Sequence, residues 1–275
     1  MLVDQINESR AFLFFGLLSI GLVLEHLFPL RKVVQKKWGR LITNLSLGGV
    51  GAILTKWSVL PLVLYVSEIA FEREWGIIPA LHLPRFAGFL ISLLALDYAL
   101  YLWHRMNHVF PFLWRFHNVH HVDLDLDIST ASRFHLGELI LSALFRMVQI
   151  VVLGIDPLVL VTFDTIITAS AQFHHSNVRL PRDIEKRLRW LFVSPRMHGI
   201  HHSIVKNETD SNFSALLSIW DRLHGTLITD VSQADIQIGV PSFRNSDELG
   251  LFSLLSLPFK KPRPWRLPNG TIPRR

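Results

Sequence analysis

The chain contains no cysteine. That excludes disulfides, thiolate zinc sites, cysteine-held iron–sulfur clusters and a thiol nucleophile. Charge is scarce too, at 18% of 275 residues. The H-E-x-x-H pattern of the common zinc peptidases is missing, and so is the G-x-G-x-x-G loop of dinucleotide folds. What fills the space is apolar: nearly half of the residues, with a mean hydropathy of +0.32. Gathered in long runs, that composition indicates a membrane protein.

The runs set out a layout. The opening "MLVDQINESR" has acidic residues ahead of its apolar run and no small-residue cleavage site after it, so it reads as the start of a retained helix. Residues 11–30 are apolar except for Glu25 and His26 near the end. Twenty residues of helix span about 30 Å, one hydrocarbon thickness. Residues 41–66 form a second run with Lys56 inside it, and residues 86–103 a third carrying Asp97. Residues 139–153 and 157–173 are shorter and are split by "GIDP", a turn signal. That pair is expected to form a tight helical hairpin or to enter the bilayer without crossing it. The fold class expected is an all-α integral membrane protein with about four transmembrane helices, the short hairpin among them. "LPRDIEKRLRWLFV" (180–193) reads as a basic amphipathic helix at the interface.

Basic residues cluster in "RKVVQKKWGR" (31–40), which holds five, and in "KKPRPWR" (260–266), which holds four. They flank apolar runs, which favours lipid head groups over nucleic acid as their partner. The 31–40 loop has no acidic residue and is expected on the cytoplasmic side; the 67–85 loop has two basic residues and is expected opposite. On that layout every cluster of histidines sits at the cytoplasmic rim, in a helical cap.

Fourteen histidines are present, and eight fall into three boxes. "HRMNH" gives His104 and His108. "HNVHH" gives His117, His120 and His121. "HGIHH" gives His198, His201 and His202. Positions i, i+3 and i+4 share a helix face, so each box projects its imidazoles one way. "FHHSN" adds His174 and His175. Imidazole suits zinc, copper, iron and nickel. Eight to ten imidazoles exceed the needs of one metal, whereas two metals with four or five nitrogens each use the count well. Asp97 precedes His104 by seven residues and His108 by eleven, on one face, and could accept a hydrogen bond from a ligand imidazole, fixing its tautomer. Arg146, Asp164 and Lys56 are further charges at membrane depth, explained equally by snorkelling or pairing. Aromatic residues beside the boxes, among them Trp103, Trp114, Phe116 and Phe134, either line a lipid path or pack the core.

In this order, the three boxes resemble the fatty acid hydroxylase/sterol desaturase superfamily. The flanking stretches "LDYALYLWHRMNH", "STASRFHLGE" (Leu136 where proline is usual), "FHHSNVRLP", aligned on His175 and Asn177, and "SPRMHGIHHS" followed by "NFSALLSIWDRLHGT" strengthen the match. It covers roughly residues 40–228. It implies a di-iron enzyme that uses dioxygen to hydroxylate or desaturate a lipid C–H bond. The ligands it implies are His104, His108, His117, His120, His121, His175, His198, His201 and His202, with His174 fitting less well than His175. It implies supporting roles for Glu138 and His135 and a place in the site for Asn177. Trp220, Asp221 and Arg222 are expected to tie the C-terminal segment beneath the cap, His224 to be a packing or surface residue, and His26 and His82 to be structural or interfacial. The domains are then 1–85, N-terminal helices and loops; 86–228, the di-iron catalytic domain; and 229–275, an irregular basic tail. With no cluster, haem or nucleotide motif of its own, the chain would draw electrons from a ferredoxin or a b-type cytochrome with its reductase. Affinity order does not select iron, so recombinant protein is expected to take zinc as well. A zinc-dependent membrane hydrolase and a non-redox metal-binding membrane protein are the alternatives. The hydrolase would need an open metal position with a carboxylate base, and neither oxygen nor reductant.

Overall fold

The computed structural model describes residues 2–275, with side chains from Ala11 onward. In chain order the helices are α1 (Leu2–Leu27), α2 (Lys37–Trp57), α3 (Leu60–Glu72), α4 (Ile77–Ala80), α5 (Arg85–Val109), α6 (Pro111–His121), α7 (Leu136–Leu153) and α8 (Pro157–His175). Five short ones follow: α9 (Arg182–Leu188), α10 (Pro195–His201), α11 (Lys206–Thr209), α12 (Ile219–Leu223) and α13 (Leu251–Ser256). No strand forms among the described residues; three isolated bridges pair Pro29 with Val178, Phe192 with Leu217 and Ser203 with Ile238.

The long helices carry apolar side chains on their outer faces. Phe12, Phe15 and Ile20 of α1, Ile42 and Ile53 of α2, Phe86 and Leu94 of α5, and Leu144 and Val148 of α7 are all exposed. Apolar surface arrayed in this way along several helices belongs against lipid. Between these helices a second set closes a dry core: Val63, Ala70, Leu96, Ile150, Val159, Leu160 and Phe163. The protein is an integral membrane protein. α5 and α7 are each long and apolar enough to cross a bilayer, and the bent α2–α3–α4 unit makes a third candidate span. The apolar part of α1, Ala11–Leu27, is shorter, so by length and composition the described residues hold two or three candidate spans beside the about four expected.

Three sequence expectations change here for physical reasons. The run at 41–66 is not one helix. It bends by 50° at the break after Trp57, where Pro61 cannot donate a helical hydrogen bond and crowds the preceding turn. Lys56 therefore sits at a helix end and is exposed. The 139–173 pair does not close on itself as a tight hairpin: α7 packs mainly on α3 and α2, α8 on α1 and the turn at Ile128–Ser132, and both touch α5. The connector is made by Gly154, in the left-handed region at φ 77°, and by Asp156, whose Oδ1 accepts the Leu158 N–H at 2.6 Å ahead of Pro157. Gly154 also has no room for a side chain, because an added Cβ would lie 2.1 Å from the Trp75 carbonyl. The amphipathic helix expected over 180–193 stops at Leu188. Beyond it the backbone turns to pair with the next segment, Val193 N–H to Leu216 O and Ser218 N–H to Leu191 O.

Polar clamps hold the cap on the bundle. Arg40 of α2 pairs with Asp123 and Asp127, and Asn44 donates to Asp123 and Ser129. Arg133, 1% exposed, donates to the Val119 carbonyl and to Asn44. Residues 229–275 are irregular yet packed. Val240, Phe243, Leu249 and Leu254 share a core with Leu47, Val119 and Val122, and Trp265 donates to the Ile204 carbonyl while facing Trp114.

Candidate metal centre

Four helices deliver the histidines. α5 continues past its apolar stretch and carries His104 and His108 in its last turns. After the kink at Phe110–Pro111, α6 brings His117, His120 and His121 to its C-terminal end. α8 ends on His174 and His175. α10 is a short helix set by Ser194, whose hydroxyl caps Met197 N–H, and by Pro195 at its first position. It carries His198 and His201, and His202 closes it.

Among the described residues two histidine groups form that could hold a metal ion. One joins His104, His108, His117, His121 and His201; the other joins His120, His175, His198 and His202. Within each group the ligand-type nitrogens lie within 4.8 Å of one another. The contacts are close at the centre of the second group: Nε2 to Nε2 is 3.0 Å for His120–His175, 2.9 Å for His175–His198 and 3.1 Å for His198–His202. In the first group His117 and His121 stand 3.2 Å apart in the same way.

Tautomers show what these short contacts mean. His175 Nδ1–H donates to the Ala171 carbonyl at 2.7 Å, and His120 Nδ1–H to the Arg133 carbonyl at 3.3 Å. A carbonyl only accepts, so the Nε2 atom of each neutral ring carries a lone pair. Two lone pairs facing each other at 3.0 Å repel unless a cation lies between them. His104 is fixed likewise by the Phe213 carbonyl and His201 by the Ser211 carbonyl, each at 2.7 Å, and His117 by Glu138 Oε1 at 2.7 Å. Orienting the far ring nitrogen is what a metal-binding imidazole requires. His201 Nε2 and both nitrogens of His108 are buried without a hydrogen-bond partner. Burial, reinforced by neighbouring imidazoles, holds His120, His121, His198 and His202 well below the usual imidazole range, and burial with His104 does the same for His201. The rings therefore stay neutral and able to bind metal.

Other residues singled out in the sequence fall elsewhere. His174 packs on His198, with ring centroids 4.2 Å apart, but belongs to neither group. Asp97 does not meet an imidazole: its Oδ2 accepts Trp220 Nε1–H at 2.7 Å and Leu217 N–H at 3.2 Å, so it anchors the segment that follows the third box. Asn177 has both ends of its amide taken by the Arg31 backbone and ties the α8 end to the chain after α1. His135 caps α7 by accepting Gly137 N–H, and its other nitrogen donates to the Leu255 carbonyl. Asp221 accepts the Phe213 and Ser214 N–H groups, which positions the carbonyl that holds His104; Arg222 bonds the carbonyls of Arg189 and Trp190. His224 stacks on Tyr101, while His26 and His82 are exposed. Phe134 stacks on His120, Trp103 on Phe145 away from the histidines.

Sequence reasoning missed Asp210, 3.5 Å from His108 Nδ1, and the four carbonyls at Arg133, Ala171, Ser211 and Phe213. A carbonyl leaves no mark in residue identity, and Asp210 sits in a polar stretch with no spacing relation to the boxes. Trp114, one of the aromatic residues noted beside the boxes, covers His108 and His121 at ring distances of 5.0 and 5.3 Å and is itself backed by Trp265 at 6.0 Å.

Fold and site together define an integral membrane protein whose cap holds two buried, nitrogen-only groups suited to metal. The sequence model of the fatty acid hydroxylase family matches residues 89–226, half of the chain, and the chain belongs to that family. The ornithine lipid hydroxylase of Rhizobium tropici is 27% identical over 252 residues, covering 88% of this chain and 73% of that protein. Human cholesterol 25-hydroxylase is 28% identical over 143 residues, 51% of each chain. The alkylglycerol monooxygenase of Danio rerio is 25% identical over 263 residues, 92% of this chain and 53% of that one. The chain thus spans only about half the length of the latter two relatives. No solved structure matches it.

Proposed function

We propose that the protein is a membrane-bound di-iron oxidoreductase that hydroxylates or desaturates a C–H bond of a lipid, using dioxygen and electrons from a separate donor. The observation that carries this reading is the gathering of nine imidazoles into one group of five and one of four. The donor set fits: an all-nitrogen shell suits iron, and two sets fit two ions. His104, His108, His117, His121 and His201 would hold one, and His120, His175, His198 and His202 the other. Bound there, the pair would supply the activation of dioxygen, chemistry that no side chain can perform.

The chain's own residues do the rest. Glu138 and the backbone carbonyls hold the Nδ1 protons of His104, His117, His120, His175 and His201 outward, so that Nε2 of each faces the metal without reorganisation. Trp114, Phe134 and Phe213 cover the rings and keep water from them. The relatives named above act on three different lipids, which supports a lipid substrate reached from the bilayer. The electron donor would be a ferredoxin or a b-type cytochrome with its reductase, since the sequence carries no cysteine for an iron–sulfur cluster and no dinucleotide loop. The five basic residues at 31–40 lie at the cap end of α1 and α2, which supports a cytoplasmic cap.

The test is anaerobic loading with ferrous iron, followed by oxygen, reductant and membrane lipid, with mass spectrometry of the extract. Wild type is expected to yield lipid that has gained one oxygen atom or lost two hydrogens, and His201→Ala to yield neither. Absence of both products from fully loaded wild type, across sterol, acyl and ether lipids, overturns the reading.

A further inference from the structure

A cleft of about 1210 Å3 opens where the end of α1 meets the start of α2 beneath the cap. Its walls come from residues 30–40, the acidic segment 123–127, and residues 233–250. It lies outside the histidine groups but backs onto them. Arg133 lines it, and the carbonyl of Arg133 holds His120; Asp123 lines it two residues after His121.

The cleft is built for negative charge. Lys32, Lys36, Lys37 and Arg244 line it, and the first two are exposed. Its carboxylates are already engaged. Asp125 accepts the Val34 and Gln35 N–H groups, Asp127 pairs with Arg40, Asp123 with Arg40 and Asn44, and Glu25 accepts the Ile128 and Asn177 N–H groups. One oxygen each of Asp123 and Glu25 remains unbonded, that of Glu25 3.9 Å from Lys37 Nζ; Asp247 stands at the exposed edge.

α2, a 21-residue helix, starts inside the cleft. Lys36 at its N-cap makes no side-chain cap, and the first turn has no acidic residue. The free N–H groups and the positive dipole end therefore face the cleft uncompensated. Two buried guanidinium groups on the wall, each already paired through its other nitrogens, keep one nitrogen without an acceptor. Arg40, 7% exposed, has no partner for Nε, and Arg133, 1% exposed, has none for Nη2. The setting is a bilayer surface: Phe28, Val33, Val34 and Trp38 beside the cationic mouth are all exposed apolar side chains.

We propose that this cleft binds the phosphate head group of the lipid on which the enzyme acts. The inference rests on the lipid-oxidation reading and narrows it. The substrate carries an oxyanion at its head, unlike a sterol, whose polar end is a lone hydroxyl. Lys32, Lys36 and the α2 N-terminus hold the phosphate, and Arg244 closes on it from the opposite wall.

The test titrates the full-length protein in neutral detergent with dihexanoyl phosphatidic acid, dihexanoylglycerol and inorganic phosphate, by calorimetry and without turnover. Phosphatidic acid is expected to bind about tenfold or more tightly than dihexanoylglycerol and to be displaced by phosphate, as charge-assisted pairing requires. Lys32→Gln/Lys36→Gln, and separately Arg244→Gln, should lose most of that preference while keeping their iron content. Equal binding of the two lipids, or an unchanged preference in both variants, overturns the proposal. Free phosphate binding as tightly as phosphatidic acid overturns the lipid as its source. If the double variant fails to fold, Arg244→Gln and phosphate displacement in wild type decide alone. Intact head-group binding with no oxidised product counts against the oxidation chemistry and leaves the cleft standing.

Discussion

The two H-x-x-H-H boxes have one spacing and opposite allegiances. In α6 the i,i+4 pair His117 and His121 joins the group of five, and His120 crosses to the other. In α10 the pair His198 and His202 joins the group of four, and His201 crosses. At about 100° per residue, i+4 lies roughly 40° from i on one side and i+3 roughly 60° on the other. One box therefore faces two centres at once, and a second box facing it completes what the first leaves short. That is why the pattern occurs twice. What remains unequal comes from outside these two boxes: α5 adds His104 and His108 to one side, and α8 adds only His175 to the other. Two carboxylates, Glu138 and Asp210, stand behind the five, whereas the partners seen behind the four are the carbonyls of Arg133 and Ala171.

The largest effect that sharpens this comparison is expected from paired alanine variants. His202→Ala leaves three imidazoles in its group and should bring iron from about two per chain to about one, because the metal site falls short of four ligands. His121→Ala leaves four in the larger group and should retain both ions. Elemental analysis after dialysis reads the difference; equal loss from the two variants would break the unequal grouping. A smaller effect is expected from Glu138→Gln, which weakens the hold on the His117 proton. Metal in the group of five should then bind roughly 10- to 100-fold more weakly in chelator competition, with the other ion unmoved. The smallest is Trp220→Phe. Asp97, buried, loses its 2.7 Å donor, and the fold should lose about 1–3 kcal/mol, read as a lower Tm in detergent. Iron content should not change; if it does, Asp97 serves the histidines after all.

The boxes were legible because ligand spacing on a helix is a local property. Their division between two centres was not, since it depends on how α6 and α10 face each other across the cap. Asp97 was misread for the same reason. Sequence put it on the face of His104 and His108, but only the docking of residues 217–220 reveals Trp220 as its partner. The apolar runs located the long helices, and α5 and α7 stand close to where the pattern put them. The break at Trp57 and the different packing partners of α7 and α8 escaped that reading, because hydropathy records what is greasy and not what it packs against. Residues 229–275 look like a loose basic tail in sequence. Spaced apolar positions at Val240, Phe243, Leu249 and Leu254 fold them onto the cap.

Backbone oxygens, rather than side chains, steer His104, His120, His175 and His201. Such props survive almost any replacement of Phe213, Arg133, Ala171 or Ser211, provided the local chain path is kept. Descendants of this chain could therefore remodel the surrounding walls for new substrates while the rings stayed aimed, with His117, steered by Glu138, the one ring among these five open to tuning by a single codon.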